Sequence, residues 1–297
     1  MSTETLFSPP QVCIPLLPVD ALTGHEKGLC TAWEGEVLPL NEGEPIKCVF
    51  KHLSHPGKLA IEMACALAAT ALGNNTPTPC LVLASKEQLP ELPESAHQPG
   101  EFAILFGSTY VGGDSFFEQL SQASDATLDN SVWNHFCSNA NTAAKGAALD
   151  ELLANWDRHS RNMRFDGTNW WLIDHDQALA PALNTDLSKL KADFVASHNL
   201  IASQLNERRR NDHEMPDAAR LTSQRQNQIK ALAAVASKWT HAIPQVVDIW
   251  QQTSSLLELL SRRMPMLQLM INERIGANQS NTLKWTSSPT PPPRSDS

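Results

Sequence analysis

"LLANWDRHSRNMRFDGTNWWLIDHDQALAP", residues 152–181, places four Asp and two His within thirty positions. Five of these six stand in two groups, Asp157 with His159 and the run Asp174–His175–Asp176. Between them lies "FDGTNW" (165–170), a Gly-centred turn between apolar residues that reads as a hairpin. Carboxylates crowded together repel one another unless a cation neutralises them. The stretch therefore points to a metal ion and to something that the metal serves, and the remainder of the chain has to say what.

The chain has 297 residues, enough for one large domain or two modest ones with a real core. Hydrophobic residues at 41% and charged residues at 19% are ordinary for a globular protein. The formal charge of -9 argues against a nucleic-acid partner, because only "NERRRND" (206–212) concentrates positive charge. That run reads as a solvated helix end, or else as a contact for an acidic partner. Six dispersed cysteines without a C-x-x-C pair read as buried reduced thiols, neither a disulfide framework nor a zinc site. "MSTETLFSPPQVCIPLLPVD" has no basic segment ahead of its apolar residues, so it is expected not to be a signal peptide. No run of eighteen apolar residues exists, so no membrane span is expected and the cytoplasm is the expected compartment.

Residues 11–53 hold short β-favouring stretches broken by Gly and Pro, expected to form an antiparallel sheet. "HPGKLAIEMACALAATALG" (55–73) opens on Pro-Gly, closes on Gly and is rich in Ala and Leu, which predicts a helix. "PCLVLAS" (79–85) and "EFAILFGS" (101–108) read as two more strands, and "YVGGDSFF" (110–117) as the hinge or loop that follows them. Beyond about 115 the pattern turns helical: a short segment at "SFFEQLSQA", then 143–156, and after the acidic hairpin 187–210, 217–242, 245–262 and 265–275. The tail "SSPTPPPRSDS" cannot bury a core and is expected to be disordered. The chain thus divides into an N-terminal extension (1–19), a small β-rich lobe with one helix (20–110), a larger helical lobe (111–280) and a tail (281–297). The fold class is α+β, with two lobes and no internal repeat.

Asp157 and Asn162 stand five apart in "WDRHSRN", the spacing of the protein-kinase catalytic loop, where Asp takes the substrate hydroxyl proton and Asn holds a metal. Twelve residues on, Asp174 closes the apolar strand "WWLI", where a kinase places its magnesium-binding Asp. Such chemistry also needs a strand Lys on the phosphates and a helix Glu that fixes the Lys. Lys51 in "PIKCVFKHL" and Glu62 in "KLAIEMACAL" stand in that order, with Lys47 as the rival for Lys51. Lys58, four residues before Glu62, competes for its carboxylate. Arg158 reads as half of a structural ion pair. His159 reads as a second candidate base or as a core-facing brace of the loop, and the brace is favoured. His175 reads as a satisfied histidine, and Trp156, Trp170 and Trp171 as core.

These residues, with "FGSTYVGGDSF" and "TPTPCLVLA", resemble the HipA-like kinase family, in particular its compact branch, over residues 20–185. More distantly the chain is similar to the phosphatidylinositol 3- and 4-kinases, which share a D-R-H-x-x-N loop followed by an I-D strand end. The resemblance implies a two-lobed kinase-like fold that uses ATP and Mg²⁺. It implies Asp157 as the base, Asn162 and Asp174 as metal ligands, and Lys51 on the phosphates. The acceptor it implies is a protein Ser or Thr hydroxyl, with a small molecule or lipid also open. The chain departs from protein kinases in lacking G-x-G-x-x-G before Lys51, where only "TGHEKG" (23–28) and "GLCTAWEG" (28–35) are candidates, and in reading "HDQ" after Asp174. Two other classes fit the same residues: a catalytically inactive kinase-fold binding module, and a metal-dependent phosphohydrolase built on His159, His175 and the carboxylates.

Overall fold

Five of the strands close on themselves. The computed structural model describes residues 8–22, 31–53, 55–89, 91–92, 102–112, 125–183, 190–194, 198–208 and 214–275. Strands β1 (Gln11–Pro15), β2 (Asp20–Ala21), β3 (Ala32–Pro39), β4 (Ile46–Lys51), β5 (Pro79–Ser85) and β6 (Phe102–Thr109) form one sheet in the order β1-β5-β6-β4-β3-β2, and β1 pairs β3 as well. The second pairing makes β1, β5, β6, β4 and β3 a ring, with the two-residue β2 appended to β3.

The strands within 11–53 pair antiparallel, as expected, but β1–β5 is a parallel pair that sequence did not indicate, with Gln11 to Cys13 running alongside Cys80 to Val82. The reason is arithmetic. A ring with an odd number of strands cannot alternate direction all the way round, so one seam has to be parallel. Residues 11–15, placed by sequence in an N-terminal extension, supply the strand that closes the ring.

The ring encloses its own core of Cys13, Trp33, Val37, Cys48, Phe50, Cys80, Val82 and Leu105. Trp33 stacks on Phe50 at 6.0 Å between centroids. Strands approach closely at Gly107, where an added Cβ would lie 2.6 Å from Cys80 Sγ and 2.8 Å from Val82 Cγ2. Cys13, Cys48, Cys65, Cys80 and Cys137 are buried free thiols, as the scattered spacing predicted.

Helix α1 (Pro56–Ala71) follows β4. His55 caps it by accepting the Gly57 N–H on Nδ1 at 3.0 Å, and Pro56 lies in its first turn, where a missing N–H costs nothing. Helices α2 (Asp125–Ser138) and α3 (Ala140–Leu153) then lead to a two-stranded hairpin, β7 (Met163–Phe165) and β8 (Trp170–Leu172). Helix α2 was not read from the sequence. Asn139 caps α3, which ends at Ala154 in a left-handed conformation (φ 48°), three residues before Asp157.

The rest of the helical lobe comprises α4 (Leu200–Glu207), α5 (Glu214–Ser223), α6 (Gln226–Ala236), α7 (Pro244–Arg263) and α8 (Leu267–Arg274). Two expected helices are corrected here. Asn199 caps α4 through the Ala202 N–H, so this helix begins well after 187. The segment 217–242 is two helices, broken where Ser223 turns its hydroxyl to the carbonyls of Ala219 and Met264.

One apolar core runs from α1 through the helical lobe, including Leu59, Ile61, Met63, Phe136, Leu149, Leu152, Trp250 and Leu257. The α+β organisation read from the sequence is present, a small β-rich lobe with one helix among the described residues and a larger helical lobe. Among the described residues no helix is long and apolar enough to cross a membrane. The second half of the hinge segment (113–117) and the tail (281–297) lie outside the described residues.

Candidate active site

Lys51, the last residue of β4, projects against α1 and against the segment after β8. Its Nζ lies 3.2 Å from Glu62 Oε2 and 2.6 Å from Asp174 Oδ1, with its side chain 13% exposed. Residues 11 and 123 positions away in sequence thus meet on one ammonium. Lys47 goes elsewhere. It is 53% exposed, pairs with Glu34 at 2.6 Å and lies over the Tyr110 ring. Lys58 turns to Asp176 at 3.7 Å instead of to Glu62.

Glu62 is buried in α1 and serves two partners. Besides Lys51, both carboxylate oxygens accept the backbone N–H of His175 at 2.9 Å. A buried carboxylate is tolerable only with such compensation. Burial pushes Glu62 up, but the Lys51 charge and the His175 hydrogen bond together outweigh burial and hold it below the usual range. Burial likewise pushes the Lys51 ammonium down, and Glu62, Asp174 and Asp176 more than reverse this, so the lysine stays charged. At Asp174 burial raises and Lys51 lowers the pKa, with a net value of about 2. Asp176 goes the other way, raised by burial and then by the Asp174 charge. Ligand atoms of Glu62, Asp174 and Asp176 all lie within 4.8 Å of one another.

Asp174 has φ 57°, a left-handed conformation that Asp adopts more readily than most residues but still at a cost. The peptides on both sides of it are anchored. Ile173 O accepts from Arg158 Nη1 at 2.5 Å, and the His175 N–H donates to Glu62.

Asp157 and Asn162 lie on the neighbouring loop. Asn162 Nδ2 donates to the Asp157 carbonyl at 2.9 Å, and Ile173 N donates to the Asn162 carbonyl at 3.1 Å, which ties this loop to the Asp174 segment. The Asp157 carboxyl is raised, first by burial and also by the Asp174 charge, against the lowering effect of His159, Arg158 and His198. Arg158 is fully buried and paired with Asp150 at 3.1 Å, the structural ion pair that its position suggested.

The hairpin sequence folds for a local reason. Asp166 Oδ1 accepts the N–H groups of Thr168 and Asn169, its Oδ2 accepts Trp171 Nε1, and Gly167 takes φ 94° between them.

Three side-chain expectations are corrected. His159 is exposed, so it is not a core-facing brace; Arg158 braces the loop. Trp156 is 38% exposed and meets His198 edge-on, whereas Trp170 is core and Trp171 half-buried. His175 is buried with Nδ1 3.6 Å from Glu62, and among the described residues its Nε2 has no hydrogen-bond partner.

Sequence reasoning missed Asp150 and Asn155. Their one signal is an acid within the apolar run of α3, a position that an ionised residue occupies only with a partner. The phosphate-loop candidate 23–28 lies outside the described residues.

The clustered carboxylates of Glu62, Asp174 and Asp176 suit a hard divalent cation, and Lys51 adds fixed positive charge beside them, while Asn162 stands on the adjoining loop outside this cluster. A cluster of this kind, between a β-rich lobe and a helical lobe, is equipped to hold an anionic oxygen ligand through a cation.

No family model and no curated protein matches the chain. Among solved structures it is similar to the Helicobacter pylori proinflammatory kinase CtkA, at 13% identity and a TM-score of 0.47 over 89% of this chain and 99% of that one. So distant a likeness assigns no activity to this chain.

Proposed function

We propose that the protein is a phosphotransferase that uses ATP and Mg²⁺, of the HipA-like type, with a protein Ser or Thr hydroxyl as acceptor. The observation that supports this reading most is the junction at Lys51, which joins the small lobe's one helix, through Glu62, to the acidic strand end, through Asp174. In this reading the Lys51 ammonium, kept charged by its carboxylates, binds the nucleotide phosphates. Glu62 keeps Lys51 in place and orients the backbone after Asp174 at the same time. Asp174 and Asn162 are the metal ligands, with Asp176 as a third oxygen donor. When bound, Mg²⁺ neutralises phosphate charge.

Asp157 takes the proton of the attacking hydroxyl. Burial and the Asp174 charge raise its pKa, which makes it a better proton acceptor than an ordinary carboxylate. His159, exposed and close enough to affect Asp157, tunes that group instead of replacing it.

The test is calorimetric titration of ATP into the protein with and without Mg²⁺, alongside Asp174→Ala. Binding that requires Mg²⁺ and is lost in the variant is the expected result. No binding under either condition refutes the reading and leaves an inactive binding module. Tight stoichiometric metal without nucleotide favours a phosphohydrolase.

A further inference from the structure

Asp150 is fully buried near the end of α3 and touches none of the groups to which chemistry was assigned above. Three of them, Asp157, Asn162 and Asp174, are nevertheless linked to it through the backbone. Through Arg158, whose Nε and Nη2 it accepts at 3.1 Å, Asp150 orients Nη1, which reaches the carbonyl of Asn162 at 2.8 Å and that of Ile173 at 2.5 Å. One of these carbonyls belongs to a candidate metal ligand, and the other immediately precedes Asp174. Through Asn155, whose Nδ2 donates to Asp150 Oδ1 at 3.1 Å, it orients the Asn155 side-chain Oδ1, which accepts the Asp157 backbone N–H at 3.1 Å. Asp150, Asn155 and Arg158 are all 0% exposed.

We infer that Asp150 is a positioning residue of the site, the shared anchor through which the backbones at Asp157, Asn162 and Ile173 are held relative to one another. The assignment rests on the phosphotransferase reading for its function but not for its geometry. Several features make Asp150 suited to this task. A carboxylate satisfies two nitrogens of a planar guanidinium and leaves the third to bridge two carbonyls. The helix that carries Asp150 is itself anchored at its end, since Arg263 donates to the carbonyls of Glu151 and Leu152 and Arg274 pairs with Glu151. The loop therefore takes its position from the helical core, and Asp174 is held between this hub on one side and Glu62 on the other.

Asp150→Asn leaves a guanidinium unpaired in the core and can fail to fold for that reason alone. The informative variant is Asp150→Leu combined with Arg158→Met, which replaces the buried pair by apolar side chains of similar size. Three quantities are measured on the full chain: thermal melting, amide hydrogen exchange without nucleotide, and Mg²⁺-ATP affinity.

The expected double variant melts cooperatively near the wild-type temperature. Exchange at the amides of Asp157 and Ile173 is roughly tenfold or more faster, while the His175 amide, held by Glu62, stays protected. Mg²⁺-ATP affinity falls by about 10–100-fold, as when the groups that orient a metal ligand are lost. A folded double variant with wild-type exchange and affinity within about twofold of wild type overturns the assignment, and so does one that cannot fold, since the pair would then serve stability alone. Wild-type protein that binds no Mg²⁺-ATP overturns the phosphotransferase reading instead, and hydrogen exchange still decides the role of Asp150.

Discussion

Lys51→Met removes the one cation that touches both Glu62 and Asp174, and its cost follows from the geometry. Taking one partner from a buried ion pair costs about 3–5 kcal/mol, because the remaining charge keeps its desolvation penalty. Glu62, 2% exposed, meets that condition in full. Asp174 does not. Its fall from 3.8 to about 2 corresponds to about 2.5 kcal/mol at most, and with its side chain 37% exposed, screening reduces this to about 1 kcal/mol. The expected loss at pH 7 is therefore about 4–6 kcal/mol, a fall in Tm of roughly 8–24 °C for a chain of this size. The pH dependence carries the sign. In the wild type both carboxylates have depressed folded-state values, so their contribution is complete above the unfolded carboxylate pKa near 4 and is lost as pH falls through the folded values, about 2 for Asp174. In the variant, burial is opposed only by the remaining contacts to His175 and Asp176, so those values rise and protonation relieves the folded state as pH falls toward the unfolded carboxylate pKa near 4. Urea unfolding of both proteins across pH 7 to 4, without divalent ions, should show a stability gap that narrows steadily. A gap below about 1 kcal/mol at pH 7, or one that does not change with pH, refutes the reasoning.

Asp157→Asn should lower autophosphorylation from labelled ATP by about 10²–10⁴-fold with Mg²⁺-ATP affinity retained, since the group moves a proton and does not hold the nucleotide. Lys47→Ala should leave that affinity unchanged and alter stability by less than about 1 kcal/mol, because its pair with Glu34 is exposed. Gly107→Ala should destabilise by about 1–3 kcal/mol in urea unfolding, because the new methyl meets Cys80 Sγ and Val82 Cγ2 inside the ring of strands.

The parts of the candidate site legible in the sequence are those whose proposed chemistry resides in side chains at fixed intervals. Asp157, Asn162 and Asp174 follow from spacing, and Lys51 and Glu62 follow from a strand and a helix each with clear start signals. Sequence left Lys47 and Lys51 level, four residues apart on one strand. The structure separates them by partners, since only Lys51 reaches Glu62 and Asp174. Asp150 stayed hidden because most of its work passes through backbone carbonyls, which every residue has and no sequence pattern marks. The β1–β5 seam was hidden for a related reason: strands of ordinary composition do not show which distant strand closes a ring, whereas the ring, once counted, requires the parallel pair. His159 was misread because adjacent positions in an irregular loop face in unrelated directions, so its neighbour Arg158 is fully buried while it faces solvent.

The placement of Glu62 also bears on how firmly the site is held. Helix α1 packs on the ring of strands and on α7, and Ile61, Met63, Ala64, Cys65, Ala68 and Ala69 are each no more than 1% exposed. Withdrawing α1 from α7 would expose side chains such as Ile61 and Met63 at about 1.5–3 kcal/mol apiece, while the buried Glu62 would lose the Lys51 ammonium and the His175 amide together. No single polar contact elsewhere in the cluster offsets a cost of that size. The same packing that excludes water from α1 thus fixes the carboxylate on which both Lys51 and the backbone of Asp174 depend.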